Sequence, residues 1–347
     1  MGLEAAAMVF FAVEQPGIQH ATQDGGWGML VVAVLMVAPP LAAIALARAY
    51  KRRGKDMYIR RIPGIDAVEE QEFAAEENLT REDLRRNDLT IKNIRLWDHE
   101  PLLVTYGQLK EIRTYYKFGD VDNDRYTIGG EYRQSMLSPR EMSYESLPSR
   151  SWVNEHLTYT HGYGAVLSPV NRVTNEGLPE FFIKDIPPVS STDIKITRPE
   201  IYFGEASNEY VFVGTKRPEF DYPVGEKNVY SRYEGQGGVP LSFFKKLLFA
   251  GRFGSFTILL SDEIGEGSRI MYYRNVRDRV MMAAPYLQVD NDPYMVITEQ
   301  GRLVWIVDCY TVTDRFPYSE PTGRIGNYMR NSVKATVDAY DGTLKFY

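Results

Sequence analysis

The chain has 347 residues, of which 44% are hydrophobic, 25% charged and 13% aromatic. That composition excludes a disordered tail or a low-complexity fibre and allows a sizeable core. Forty Lys and Arg against 46 Asp and Glu leave a formal charge of −6, which argues against a general nucleic-acid binder, because polyphosphate attraction needs a cationic face. With Cys309 as the one cysteine, an internal disulfide and a Cys-rich zinc site are both excluded, so packing and hydrogen bonding must hold the fold.

Residues 1–26 form a short N-terminal segment, apolar at its start but carrying Glu4. Residues 29–47, MLVVAVLMVAPPLAAIALA, then run for nineteen positions without a charge, flanked by Trp27 and Tyr50. At ~1.5 Å rise per residue, about twenty residues cross a hydrocarbon core of roughly 30 Å, and flanking aromatics suit the headgroup level. The pattern predicts a transmembrane helix over residues 27–50, with the lipid bilayer as its partner. A signal peptide places its basic residues ahead of the apolar run, whereas here the first cation is Arg48 and the cluster Lys51, Arg52, Arg53, Lys55, Arg60, Arg61 comes after it. Pro39 and Pro40 each remove a backbone donor in mid-span, which predicts a kink and the company of other transmembrane helices. Positive-inside reasoning places the large C-terminal part in the cytoplasm.

Residues 51–90 read as a linker, basic and then acidic, whose run Glu69, Glu70, Glu72, Glu76, Glu77 is a solvated face. Residues 91–347 read as one domain. Within it, Leu102, Tyr106, Leu109, Ile112 and Tyr116 recur at steps of three and four and predict a helix over 101–116. Further helices are predicted over 139–157, 242–252 and 274–284; in that over 242–252, Phe244, Leu247 and Leu248 alternate with Lys245, Lys246 and Arg252. Short β-branched and aromatic runs predict strands at 193–197, 200–203, 210–214, 294–298 and 303–310. Two hairpins are expected, one turning at Gln300-Gly301 and one at Asp341-Gly342. The mixture is α+β: a strand-rich domain with several amphipathic helices and β-hairpins behind one membrane span. Tyr347 ends the chain in mid-strand, which predicts a domain truncated at its C-terminus.

Few motifs carry chemistry. His20, His99, His156 and His161 have no metal-ligand spacing, and His156 and His161, five apart, do not share a helix face well. Ser168 lacks the Gly-x-Ser-x-Gly elbow. Cys309, within WIVDCY, falls on an apolar strand position and reads as a small core residue. Asp120, Asp122 and Asp124, with Glu131 at loop position twelve, match the acidic skeleton of an EF-hand calcium loop, making calcium the one cofactor to weigh. Arg125 stands where that loop needs Gly, and the segment through Gly129-Gly130 to Tyr132 looks more like a hairpin than an exiting helix. Gly235-Gln-Gly237-Gly238 lacks the Lys-Ser/Thr pair of a phosphate loop and reads as a turn.

Several long segments, among them NIRLWDHEPLLVTYGQLKEIRTYYKF (residues 93–118), DVDNDRYTIGGEYRQSML (120–137), FDYPVGEKNVYSRYEGQGGVPL (220–241) and NSVKATVDAYDGTLKFY (331–347), resemble uncharacterised protein family 0182, large bacterial integral membrane proteins. The likeness covers about residues 58–347. It implies a block of several N-terminal transmembrane helices, of which 27–50 corresponds to the last, and after it a large extracytoplasmic domain with no assigned catalytic residues. The family tends to a small residue such as Ala where Cys309 stands. The implied side of the membrane opposes the positive-inside reading; the extracytoplasmic side is adopted, with the cytoplasm as its alternative. The function expected is a non-enzymatic surface or envelope interaction domain on a membrane anchor. The alternative is a membrane-bound enzyme or transporter-associated protein with a pocket near His156, His161, Asp185 or Glu131.

Overall fold

A computed structural model describes residues 80–225, 227–323 and 326–347. The N-terminal segment, the predicted transmembrane helix 27–50 and most of the linker lie outside the described residues. Thr80 opens a capping box with Asp83: its side chain accepts from Asp83 N, and the Asp83 carboxylate takes Thr80 N at 2.9 Å. This starts α1 (Arg81–Arg86), with α2 (Asp88–Ile91) directly after it, so the described end of the predicted linker is helical. Asp98 caps α3 (His99–Lys110), which buries Leu102 and Tyr106. The helix predicted over 101–116 stops early because Ile112 adopts φ +70°, a left-handed conformation that no helix interior accepts. Tyr116 consequently belongs to a strand.

The strands in chain order begin with β1 (Tyr116–Phe118), β2 (Asp122–Ile128), β3 (Glu131–Met142), β4 (Gly162–Tyr163), β5 (Ala165–Pro169), β6 (Ile183–Lys184) and β7 (Val189–Ser190). All but β4 build one antiparallel sheet in the order β1-β3-β5-β6-β7, with β2 also on β3. Gly129 and Gly130, both at positive φ, close the β2–β3 hairpin, pairing Ile128 with Glu131 and Asp122 with Leu137. β3 overturns the helix predicted over 139–157. Pro139 sits inside the strand opposite Ala165, and the rest is a 3-10 turn at Tyr144–Ser146 and one π-helical turn at Asn154–Thr158. The last eight residues of β3 are buried on both faces, so their pattern carries no period of two and reads as a buried helix.

Next come β8 (Glu200–Ile201), paired with β4, then β9 (Val211–Val213) and the hairpin of β10 (Glu219–Val224) with β11 (Lys227–Ser231), then β12 (Val239–Pro240). Helices α4 (Phe243–Phe253) and α5 (Thr257–Leu260) precede β13 (Arg269–Met271), which joins β12 to β9, and α6 (Val276–Ala283) comes after it. The last sheet holds β14 (Gln288–Val289), β15 (Tyr294–Ile297), β16 (Leu303–Thr313), β17 (Tyr328–Asp338) and β18 (Leu344–Phe346), ordered β14-β16-β17-β18 with β15 also on β16. Both expected hairpins are present, with Gly301 and Gly342 at positive φ in their turns. Residues 193–197 are not a strand; Thr197 docks its N–H on Gly301 O instead.

Alternate residues of β16 point inward, so Leu303, Trp305, Val307 and Cys309 are buried. They form the main core with Phe203, Val213, Met271, Val280, Met295 and Val337. Trp305 Nε1 donates to Phe203 O at 2.9 Å, satisfying the polar atom of the largest buried ring. The described architecture is a strand-rich α+β fold, and among the described residues no helix is long and apolar enough to cross a membrane.

Candidate functional site

The sharpest concentration of ionisable groups lies at a joint between three elements. The π-helical turn delivers Thr160 and His161 to the start of β4, β10 supplies Glu219 and Asp221, and the segment after β8 supplies Tyr202. Glu219 accepts from Thr160 Oγ1 at 2.6 Å and Tyr202 OH at 2.8 Å through one oxygen, and from Tyr233 N at 3.2 Å and Gly214 N at 3.3 Å through the other. Thr160 spends its only hydroxyl proton on Glu219, so its oxygen accepts from His161 Nδ1 at 2.9 Å. His161 Nε2 meets Asp221 Oδ1 at 3.2 Å, so the imidazole bridges the Thr160 hydroxyl and a carboxylate of β10. Burial, and then the Glu219 carboxylate, push the Tyr202 phenol well above its ordinary range.

A hydroxyl, an imidazole and a carboxylate in contact have the composition of a nucleophilic relay, but the order of bonds is different. Glu219 already holds the Thr160 hydroxyl, and Thr160 and His161 expose no surface. Arg274 closes the joint from the side: Nε donates to Tyr202 O at 2.6 Å, one terminal nitrogen to Thr160 O at 2.6 Å, and the other to Tyr144 OH at 2.8 Å and Glu209 O at 3.0 Å. A single guanidinium thereby reaches stretches of chain that are distant in sequence. What this arrangement does physically is fasten those stretches, since each bond broken would leave a polar group buried and unpaired.

Two more buried charges also tie segments together, although one terminal nitrogen of Arg140 is buried without a hydrogen-bond partner. Glu141 of β3 accepts from Glu205 N at 2.9 Å, Ala206 N at 3.0 Å and Ser207 Oγ at 3.2 Å, while burial raises its carboxyl above the usual range. Arg140 donates to Lys110 O and Tyr163 O and lies over the Phe118 ring at 5.0 Å, and burial lowers its guanidinium to about 10.

The residues singled out in the sequence are scattered. His156 does not join His161: its Nδ1 lies 2.7 Å from Tyr210 O, and its ring stacks on Tyr210 at 4.1 Å. Asp185 pairs with Lys110 at 2.8 Å. The calcium-loop match is undone by the hairpin. Asp122 and Glu131 lie at opposite ends of the β2–β3 ladder, and Glu131 engages Lys92 at 3.2 Å and Arg133. Among the described residues, no group of three or more His, Cys, Asp or Glu is placed to hold a metal ion. Cys309 is a buried strand residue, as its alternation predicts, and burial pushes its thiol up.

Asp122 gains another role. Its carboxylate accepts Met295 N at 2.8 Å, and Tyr126 OH accepts Ile297 N at 3.0 Å, so side chains of β2 satisfy the outer edge of β15. Burial, then repulsion from Asp120, Asp292 and Asp124, lifts Asp122 to about 7 against the pull of Met295 N. Burial, and then Glu141 and Asp122, lift Glu205 to about 8. Asp122 and Asp292 are remote in sequence, and only the docking of β2 against β15 brings them into one field. Beside this seam runs an open groove of about 840 Å³ between Asp124–Thr127, Asp193–Thr197 and Val296–Gly301, carrying both Asp124 and Asp193 and the cations Arg125 and Lys195.

Fold and joint together define a class: a strand-rich α+β module whose buried ionisable groups lock its sheets together. The chain belongs to the uncharacterised protein family UPF0182, whose profile matches residues 58–347. It is similar to a UPF0182 protein of Geotalea uraniireducens, 60% identical over 284 residues, covering 82% of this chain and 32% of the relative. A UPF0182 protein of Geobacter sulfurreducens is 59% identical over the same length and shares. One from Pelotomaculum thermopropionicum is 52% identical over 326 residues, 93% of this chain and 35% of the relative. The chain thus spans about a third of the length of these relatives. No solved structure matches it.

Proposed function

We propose that this chain is a membrane-tethered interaction module: residues 27–50 cross the bilayer beside other transmembrane helices, and the strand-rich domain stands outside the cytoplasm, where its open face binds an envelope component. The observation that carries this reading is the disposition of charge. Arg140, Glu141, His161, Glu219 and Arg274 are spent on joining segments of the domain, while the groove along β2 and β15 presents a mixed polar surface with Tyr126 and exposed backbone turns. Surfaces of that kind recognise partners by complementary hydrogen bonds and aromatic contact. The uncharged stretch at 29–47 supports the tether.

The test is fractionation of cells expressing the full chain, then alkaline extraction of the membranes and labelling of an engineered surface cysteine, Glu320→Cys in a Cys309→Ala background, with a membrane-impermeant reagent. The expected result is a chain kept in the extracted membranes and labelled from outside. A chain released to the supernatant sinks the tether, and labelling only after the membrane is opened puts the domain in the cytoplasm.

A further inference from the structure

Helices α4 and α5 invert the usual arrangement of a surface helix. Their inner side is anchored by Ala250 and Ile258, packed with Phe212 of β9, Ile270 of β13 and Leu157. The apolar residues read from the sequence, Phe244, Leu247 and Leu248, face the other way and are exposed, and Phe243, Phe256 and Leu260 are exposed with them at 78% to 79% of their surface. Six large apolar side chains are thus exposed on two consecutive helices, more than soluble surfaces usually leave uncovered in one place.

The charge around the patch says what covers it. Residues 235–261 contain no Asp or Glu in a chain of net charge −6, but they include Lys245, Lys246 and Arg252. Lys245 folds back on Pro240 O at 3.1 Å and Lys246 on Ile264 O. Arg252 lies over the rings of Tyr272 and Tyr273 at 5.4 and 5.5 Å and donates to Tyr273 OH at 2.8 Å. Cations and tyrosines bordering phenylalanine and leucine match the layering of a bilayer surface, where rings and basic groups sit at headgroup level and apolar side chains enter the acyl boundary. The nearest acids in the sequence stand past the patch: Asp262 comes after α5, and Glu263 is paired with Arg217 at 3.3 Å. Asp278 and Glu209 share a cavity with Arg252, Tyr272 and Tyr273.

We infer that α4 and α5 form an interfacial foot that seats the domain on an anionic lipid surface, with Phe243, Phe244, Leu247, Leu248, Phe256 and Leu260 dipping below the headgroups. This rests on the tether proposed above, which would hold the domain at the membrane, and it adds a fixed orientation: β9 and β13 lie behind the foot. A second copy of the chain is the competing occupant, but it would have to bring acids to this face, and the face itself has none to offer in return.

The experiment uses the full chain with Cys309→Ala, reconstituted into vesicles of phosphatidylcholine and phosphatidylglycerol. Single cysteines at Leu248→Cys, Phe256→Cys and, for comparison, Glu320→Cys carry an environment-sensitive fluorophore. The foot predicts blue-shifted emission at 248 and 256 that is lost when the lipids carry bromine near the headgroup, with no change at 320. If the chain floats with the vesicles while 248 and 256 keep a water-like emission, the foot is wrong and the tether stands. If their emission shifts with protein-to-lipid ratio and bromine does nothing, a second copy covers the patch and the foot is equally wrong. A chain that does not float removes both.

Discussion

Asp122 Oδ2 accepts the backbone N–H of Met295 at 2.8 Å, so a side chain of one sheet satisfies the free edge of a strand in another. A carboxylate taken out of water for this purpose is held at about 7, far above its ordinary 3.8, by burial and by Asp120, Asp292 and Asp124.

The pH dependence has a definite sign. Between 3.8 and about 7 the folded chain keeps the Asp122 proton and the unfolded chain has lost it. The unfolded state therefore binds fewer protons, and unfolding free energy falls as pH rises through that window. Asp122→Asn keeps an oxygen for Met295 N and removes the charge. The variant should be more stable than the parent at pH 8 by about 1–3 kcal/mol and nearly equal to it at pH 4. Urea melts at the two pH values measure this; a variant less stable at pH 8 would show that the ionised carboxylate is favourable where it stands.

The joint at His161 predicts the opposite response to losing a polar group. His161→Phe would fill similar space and leave Thr160 Oγ1 and Asp221 Oδ1 without their imidazole partner, while Glu219 keeps its four donors, at a cost of about 1–3 kcal/mol. The checking measurement is chemical denaturation at constant pH. A loss under about 1 kcal/mol would mean that water reaches Asp221 and that the joint is less closed than the burial of Thr160 and His161 says.

How much of this is legible in the chain divides along physical lines. Cys309 in WIVDCY and the turns at Gly301 and Gly342 are readable because period-two burial and positive φ are local properties. The helix predicted at 139–157 is absent because the end of β3 is covered on both faces and loses its alternation. At α4 the periodicity is right and its direction is not: a stripe of Phe and Leu has no label saying which way is in, and the core takes Ala250, Phe249 and Phe253. Glu219, Asp221, Tyr202 and Arg274 give no local signal because none belongs to a short motif; they meet only after three elements are folded together. A partial signal does exist in His161, which directly succeeds Thr160 and stands beside a glycine, Gly162, whose Cβ would lie 2.3 Å from Arg140 O.

Calcium gives a prediction from geometry. Asp120 Oδ1 accepts Val121 N at 2.6 Å, Asp122 is bound to Met295 N, and Glu131 is ion-paired at the far end of its hairpin. Excess calcium should therefore leave the melting temperature of the chain unchanged, because a ligand stabilises only a state that binds it. A saturable rise in melting temperature, abolished by Asp124→Asn, would restore the loop reading.

Gly204 offers the most local test, because its lack of a side chain is what admits a buried charge. A Cβ there would stand 2.1 Å from Glu141 Oε2 and 2.5 Å from Cδ of the same side chain. That carboxylate cannot swing aside without giving up Glu205 N, Ala206 N and Ser207 Oγ. Gly204→Ala should cost about 2–3 kcal/mol by overpacking, and Glu141→Ala should be destabilising by a different route, the loss of those three hydrogen bonds. If the two residues interact as described, the double variant is less destabilised than the sum of the singles by about 2 kcal/mol, since removing the carboxylate makes room for the methyl group. Simple additivity in that cycle would show that the Gly204 backbone shifts to accommodate alanine and that the close approach is not what fixes glycine at this position.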